Sequence, residues 1–321
     1  MRLICGRTDQ EKAVPSVISI GKFDGLHRGH QKLIGRMREY RWSGLRTVLF
    51  SFDMSPQAFL NNRSMDYLLT RGEKVRLAEK SGIDLLVEHP FTDDVRKMAP
   101  EAFVDEILIG HLGMKAIVVG PDCGFGYKRS GNTEFLRRYA AGRYEVEVVE
   151  KMEYEGERIS SSRIRECLTR GDVRRAAVML GYAFSYEGVV EHGLQLGRRL
   201  GIPTANMSIE EGKLLPAGGV YATRTLIDGR WYGGMSNIGT KPTVAGCRRA
   251  GIETHLFDYA GDLYDKTIRT ELLLHTRPEI KFSTLEELQS QLRRDKAEIE
   301  EKLAGLTNNG SSGMMWDVIN L

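Results

Sequence analysis

Up to about residue 180, short apolar runs alternate with segments whose apolar residues recur every three or four positions. Val14–Ile20 reads as a strand before a helix-like 29–41, and Thr47–Phe52 as a strand before 71–81. Asp84–Val87 precedes a helix-like 100–110, Ala116–Val119 precedes 132–140, and Tyr144–Val149 leads into helical spacing within 160–180. Apolar strands alternating with amphipathic helices predict a mostly parallel sheet covered on both faces. Ligands of such sheets settle beyond the carboxyl ends of the strands. Two glycine-rich turns lie there, Gly21–His30 after the first run and Gly120–Gly126 after Ile117-Val118-Val119.

After residue 184 the rhythm changes. Phe184–Val190, Val220–Leu226, Arg230–Met235, Thr254–Tyr259 and Ile268–Leu274 read as short strands separated by turns rich in Gly, Asn and Asp. Asp228-Gly229 between two of them is a hairpin signal. Helical spacing returns only over Ser283–Leu303, where Thr284 with Glu287 fits a capping box. Short strands closed by one helix predict a small antiparallel barrel with a C-terminal helix packed on it. The expected domains are 1–182 and 183–304, followed by a 305–321 tail of flexible-linker composition with an apolar end.

Composition narrows the class. The 321 residues, 41% hydrophobic and 28% charged, suffice for two cores. A net charge of +3 from 46 basic and 43 acidic residues is too balanced to argue for a nucleic-acid partner. The four cysteines form no Cys-x-x-Cys pair, which argues against a disulfide framework or a structural zinc site. No apolar run approaches the length of a membrane span, and charges interrupt the N-terminus early. A soluble cytoplasmic protein with no membrane partner is the expectation; the sequence leaves its oligomeric state open.

The stretch Gly21-Lys22-Phe23-Asp24-Gly25-Leu26-His27-Arg28-Gly29-His30 carries the strongest chemistry. A helix start offers free backbone N–H groups and the positive end of its dipole. Two imidazoles add donors to the same anion, and Gly25 and Gly29 permit close approach. The pattern points to a nucleotide-phosphate site; two solvated histidines at a surface helix start are the alternative. A metal on this pair lacks a third ligand nearby in sequence. Ser160-Ser161-Ser162-Arg163-Ile164-Arg165 opens a later helix. Its hydroxyls fit ordinary N-caps, and its arginines add a second phosphate-binding feature. In the second half, Thr204 and Asn206 stand two residues apart on an extended segment and so point the same way. Both offer oxygen ligands that suit magnesium, although Pro-Thr-Ala-Asn also reads as a polar turn.

Taken together, Gly21–His30 and Ser160–Arg165 resemble the nucleotidylyltransferase pattern G-x-F-D-G-x-H-x-G-H … S-S-T-x-x-R. Gly197-Arg198-Arg199-Leu200-Gly201-Ile202-Pro203-Thr204-Ala205-Asn206 is similar to the riboflavin kinase signature G-R-x-L-G-x-P-T-A-N. Asn237–Thr243, Glu253–Asp258 and Lys281-Phe282-Ser283 match further kinase motifs. The chain thus resembles the bacterial bifunctional riboflavin kinase/FAD synthetase family over roughly residues 14–303.

The resemblance implies an α/β protein: a Rossmann-like nucleotidylyltransferase domain followed by a riboflavin kinase-like antiparallel barrel with a C-terminal helix. It implies ATP-dependent phosphorylation of riboflavin in the second domain and adenylylation of FMN to FAD, with release of pyrophosphate, in the first. Riboflavin, FMN and ATP are the expected small-molecule partners, and Mg2+ the expected cofactor. His27, His30 and Arg165 would act in adenylyl transfer and Glu253 as base in the kinase. Gly21, Phe23, Asp24, Gly25, Gly29, Ser160, Ser161, Ser162, Gly197, Arg198, Gly201 and Asn237 would bind nucleotide, Asp122 and Phe125 flavin, and Thr204 and Asn206 the metal. Two segments depart from the family pattern. Asp53-Met54-Ser55-Pro56 replaces a Phe-x-Pro-His-Pro type turn, and Asp122-Cys123-Gly124-Phe125-Gly126 has lost one aromatic. These departures support the alternative of an active kinase beside a degenerate nucleotide- or flavin-binding module.

Overall fold

A computed structural model describes residues 1–9, 11–53, 66–192, 197, 201–242 and 248–308. The chain divides into two compact units, Met1–Ser161 and Ser162–Leu321.

The first unit is built on six parallel strands: β1 (Arg2–Cys5), β2 (Ser16–Ile20), β3 (Arg46–Phe52), β4 (Leu85–His89), β5 (Met114–Val119) and β6 (Glu145–Val148). Their spatial order is β1-β4-β3-β2-β5-β6. From β2 the chain steps outward through β3 to β4, then crosses back to β5 on the opposite side of β2. The order therefore reverses between β2 and β5, and both glycine-rich turns leave the sheet at that switch point. β2, β3 and β4 are buried along nearly their whole length because helices cover both faces. The helices are α1 (Arg28–Glu39), α2 (Arg71–Lys80), α3 (Phe103–His111, wound as a π-helix) and α4 (Thr133–Ala140). Ile18, Phe50, Val87, Phe103, Leu108, Ile117 and Leu136 share one core. β1 is an addition that the sequence pattern did not predict. In this short edge strand only Ile4 packs against the core, so no apolar alternation announces it.

In the second unit, α5 (Ser161–Thr169) and α6 (Val173–Leu180) precede a closed antiparallel barrel. Its strands are β9 (Ser185–Glu191), β10 (Ala205–Ser208), β11 (Gly219–Ile227), β12 (Arg230–Pro242), β13 (Arg248–Leu256) and β14 (Thr267–Arg277), in the order β10-β13-β12-β11-β14-β9, with β9 pairing back to β10. The small antiparallel β7 (Glu153–Tyr154) and β8 (Glu157–Arg158) lie just before α5. The compact-unit division falls about twenty residues before the expected 182/183 boundary. The reason is local: Ala217 N–H donates to the Leu168 carbonyl (3.0 Å), which holds the α5 end to the barrel, and α6 packs on β14.

The β11–β12 hairpin turns at Asp228-Gly229, both at positive φ (48° and 82°), as the dipeptide predicts. The barrel interior holds a hydroxyl chain, Thr223–Ser236–Thr254, with links of 2.9 and 2.8 Å. α7 (Leu285–Asn308) lies on the outer face, where Ile299, Leu292 and Leu303 meet Val220, Ala222, Met235 and Phe257. Glu287 N–H bonds to Thr284 Oγ1 at 3.2 Å, while the Glu287 carboxylate caps Ser283 N–H instead of Thr284 N–H. The capping box is therefore displaced by one residue.

Candidate functional sites

The turn after β2 is tightly folded. Phe23, Gly25 and Leu26 take positive φ (50°, 82° and 34°), folding the chain back so that His27 caps α1. His27 Nδ1 accepts from the His30 N–H (3.4 Å), so the neutral His27 ring carries its proton on Nε2. The two imidazoles stack with centroids 3.7 Å apart and planes 15° apart, and Phe23 meets His30 edge-on at 5.3 Å. Burial pushes the His27 pKa down to about 4 and His30 well below the ordinary 6.5, with the His27 and Lys74 charges depressing His30 further. His30 Nδ1 is buried with no hydrogen-bond partner. A Cβ at Gly29 would stand 3.1 Å from the His27 ring, and one at Gly21 would meet the Phe23 ring at 3.2 Å. These glycines make room for the aromatic rings.

Other predicted residues of this unit have different surroundings. The buried Asp24 directs Oδ1 to Leu68 N–H (2.9 Å) and Leu69 N–H (3.4 Å), so its carboxylate fastens the segment before α2. Ser161 Oγ donates to the Asp24 carbonyl (2.8 Å), and Ser160 immediately precedes it. Phe125 is buried between Phe103 and Phe135 (centroids 5.4 and 6.0 Å), so its ring fills the core and offers no open stacking face. Asp122 pairs with Lys151 at 2.7 Å. Ser162 and Arg165 lie on α5, in the second unit. Met54-Ser55-Pro56 lies outside the described residues.

The barrel places the kinase motifs around one pocket. Antiparallel register sets Asn206 opposite Glu253 and Glu253 opposite Asn237, so three strands contribute one row of side chains to one face. A cavity of about 240 Å3 opens there, lined by Thr204, Asn237 and Glu253 with Gly197 beside them. Its apolar wall combines barrel residues such as Val220 and Met235 with Phe282, Leu288 and Leu292 from the α7 side. Asn206 occupies the row without lining the cavity. Gly197 leaves no room for a Cβ against the Ile202 carbonyl, and its own carbonyl accepts from Ile202 N–H at 2.8 Å. Gly201 sits at φ 74°. Arg198 lies outside the described residues.

The sequence reading gave no role to His255, Arg277 or Glu279, which line the same cavity. His255 Nδ1 lies 2.8 Å from the Pro203 carbonyl, tying β13 to the segment that carries Thr204, and burial lowers its pKa. Arg277 grips the buried Asp295 of α7 through Nε (2.9 Å) and Nη2 (2.6 Å). Glu279 accepts from Asn237 Nδ2 at 3.5 Å. No local pattern in the sequence marks Glu279 as a cavity residue.

Comparison with known proteins agrees with this division. A family model described as FAD synthetase matches residues 9–163, and one described as riboflavin kinase matches 180–303. The bifunctional riboflavin kinase/FMN adenylyltransferase of Listeria monocytogenes is 33% identical, covering 93% of this chain and 96% of the relative. That of Pseudomonas fluorescens is 36% identical, covering 88% and 91%. The chain belongs to the bifunctional riboflavin kinase/FMN adenylyltransferase family. Its two activities are riboflavin kinase and FMN adenylyltransferase, with the adenylyltransferase domain first. A crystal structure named macrolide-efflux protein from Streptococcus pneumoniae superposes with a TM-score of 0.83 at 30% identity, covering 92% of this chain and 98% of that one. Among the described residues, no helix is long and apolar enough to cross a membrane.

Proposed function

We propose that adenylyl transfer takes place at the imidazole pair on the α1 N-terminus and phosphoryl transfer at the barrel cavity. The row Asn206–Glu253–Asn237 beside Thr204 carries the kinase half of this reading, because it sets a carboxylate among oxygen donors at the mouth of an apolar slot. The apolar wall suits the flavin ring and the polar row suits the ribityl chain and the phosphates.

Thr204 and Asn206 supply a hydroxyl and an amide oxygen, a neutral hard-donor pair that leaves room for waters and nucleotide phosphates around Mg2+. When bound, the cation neutralises charge on the β- and γ-phosphates. Glu253 takes the proton of the ribityl 5′-hydroxyl as that oxygen bonds to the γ-phosphorus; the bond to the β-phosphate oxygen breaks, leaving FMN and ADP.

In the first domain an FMN phosphate oxygen attacks the ATP α-phosphorus, the bond to the β-phosphate oxygen breaks, and pyrophosphate leaves. His27 and His30, with the first N–H groups of α1, bind the polyphosphate, and Ser161 and Arg165 are assigned to the same phosphates by their motif. Catalysis here is positioning and charge stabilisation, with no covalent enzyme intermediate.

The test is a magnesium titration of each half-reaction. Thr204→Ala and Asn206→Ala should raise the Mg2+ concentration needed for FMN formation while FAD formation from supplied FMN keeps its wild-type dependence. Equal shifts in both reactions would reject the assignment.

A further inference from the structure

Behind the imidazole pair lies a buried charge cluster to which neither motif assigns a role. Lys74 on α2 is 9% exposed, and its ammonium donates to Ser51 Oγ (3.0 Å) and Glu88 Oε1 (3.4 Å). Ser51 Oγ in turn lies 3.3 Å from the carbonyl of Lys22, the second residue of the nucleotide turn, and 3.3 Å from that of Phe52, its one proton shared between the two. Glu88 is itself buried and receives Arg71 Nε at 2.7 Å and the Cys5 thiol at 3.9 Å. A buried lysine costs stability unless it is paired, and an aliphatic residue at this position would avoid the cost. Its charge is felt by His30, and Lys74 feels Asp24 in return. The titratable groups that act on it are therefore Glu88, Asp24, Arg71 and His30.

We propose that Lys74 is a positioning residue for adenylyl transfer: its buried ammonium, through Ser51, holds the Lys22 end of the turn that carries His27 and His30. Two consequences follow. The hydroxyl relay fixes the strand end from which Phe23 and His27 hang, so polyphosphate meets a preformed cradle. The ammonium also adds to burial and to His27 in disfavouring protonation of His30. This inference rests on the proposed role of the imidazole pair.

The experiment compares Glu88→Gln with Lys74→Met/Glu88→Gln, so that removing the ammonium leaves no buried, unpaired carboxylate. Lys74→Arg is the variant that keeps the charge. Each protein is titrated by NMR of labelled histidine, with the His30 signal identified from its loss in His30→Ala, and each is assayed for FAD formation from FMN and FMN formation from riboflavin. Relative to Glu88→Gln, the double variant should raise the His30 pKa. It should also lower kcat/KM for ATP in FAD formation about tenfold. The thermal melt and near-UV circular dichroism of the double variant should match those of Glu88→Gln, as evidence that the first unit is folded; FMN formation should stay unchanged, and Lys74→Arg should retain the low His30 pKa. An unshifted His30 pKa together with unchanged FAD formation in the double variant overturns the role of Lys74. If His27→Ala/His30→Ala makes FAD at the wild-type rate, the reading of the imidazole site fails instead.

Discussion

His27 and His30 lie face to face, with ring centroids 3.7 Å apart. At that separation two imidazolium ions repel strongly, and burial adds its own penalty, so the empty site holds both rings neutral. A polyphosphate reverses the balance, because each negative oxygen favours the charged ring. Binding a non-hydrolysable ATP analogue near pH 6.5 should therefore take up protons, read as a dependence of calorimetric enthalpy on buffer ionisation. His27→Ala/His30→Ala should remove that uptake.

The same pair makes stability depend on pH. A histidine whose folded pKa lies below 6.5 binds a proton more readily when unfolded, so stability is lost as pH falls from about 6.5 toward the folded value. With the His27 pKa near 4, the loss reaches about 2 kcal/mol by pH 5. Urea denaturation of the wild type should show this loss between pH 7 and 5, and His27→Asn should reduce it, with His30 contributing the remainder.

Gly29 tests the geometry of the pair without touching its chemistry. A Cβ there falls 3.1 Å from His27 Cε1, so the ring must tilt. Alanine is otherwise welcome in the first turn of a helix. Gly29→Ala should lower FAD formation about tenfold while the Tm stays close to the wild-type value and FMN formation is retained.

Much of this architecture can be read from the sequence, and the exceptions share a cause. The β2, β3 and β5 runs are apolar because helices cover both faces, and the Gly21–His30 turn follows directly from where such a run ends. Asp24 and Phe125 sit inside family motifs, yet one carboxylate is spent on backbone N–H groups and the other residue's ring on the core. A motif records that a residue matters without saying what it touches. Lys74, Ser51 and Glu88 interrupt the apolar pattern as ordinary polar residues, and only the packing of α2 against β3 and β4 brings them together. Glu253, Asn206 and Asn237 lie far apart along the chain, and barrel register alone sets them in one row.

Asp24 should behave as a structural anchor. Asp24→Ala strands two buried N–H groups at Leu68 and Leu69 and should cost about 1–3 kcal/mol in urea unfolding. Asp24→Asn keeps a carbonyl acceptor and should cost less.

Asp295 ties α7 to the barrel through Arg277, and it is 3% exposed. Asp295→Ala leaves a guanidinium without its buried partner and should cost about 3–5 kcal/mol. Since Arg277, Leu288 and Leu292 line the barrel cavity proposed for phosphoryl transfer, FMN formation should fall with it, and FAD formation from supplied FMN should persist.

The most direct test sets two variants against two reactions, with products separated by chromatography. Glu253→Gln should slow FMN formation from riboflavin at least about 100-fold and leave FAD formation from FMN intact. His27→Ala/His30→Ala should do the reverse. Loss of both reactions in either folded variant, or of the opposite reaction, would contradict two separate sites on one chain.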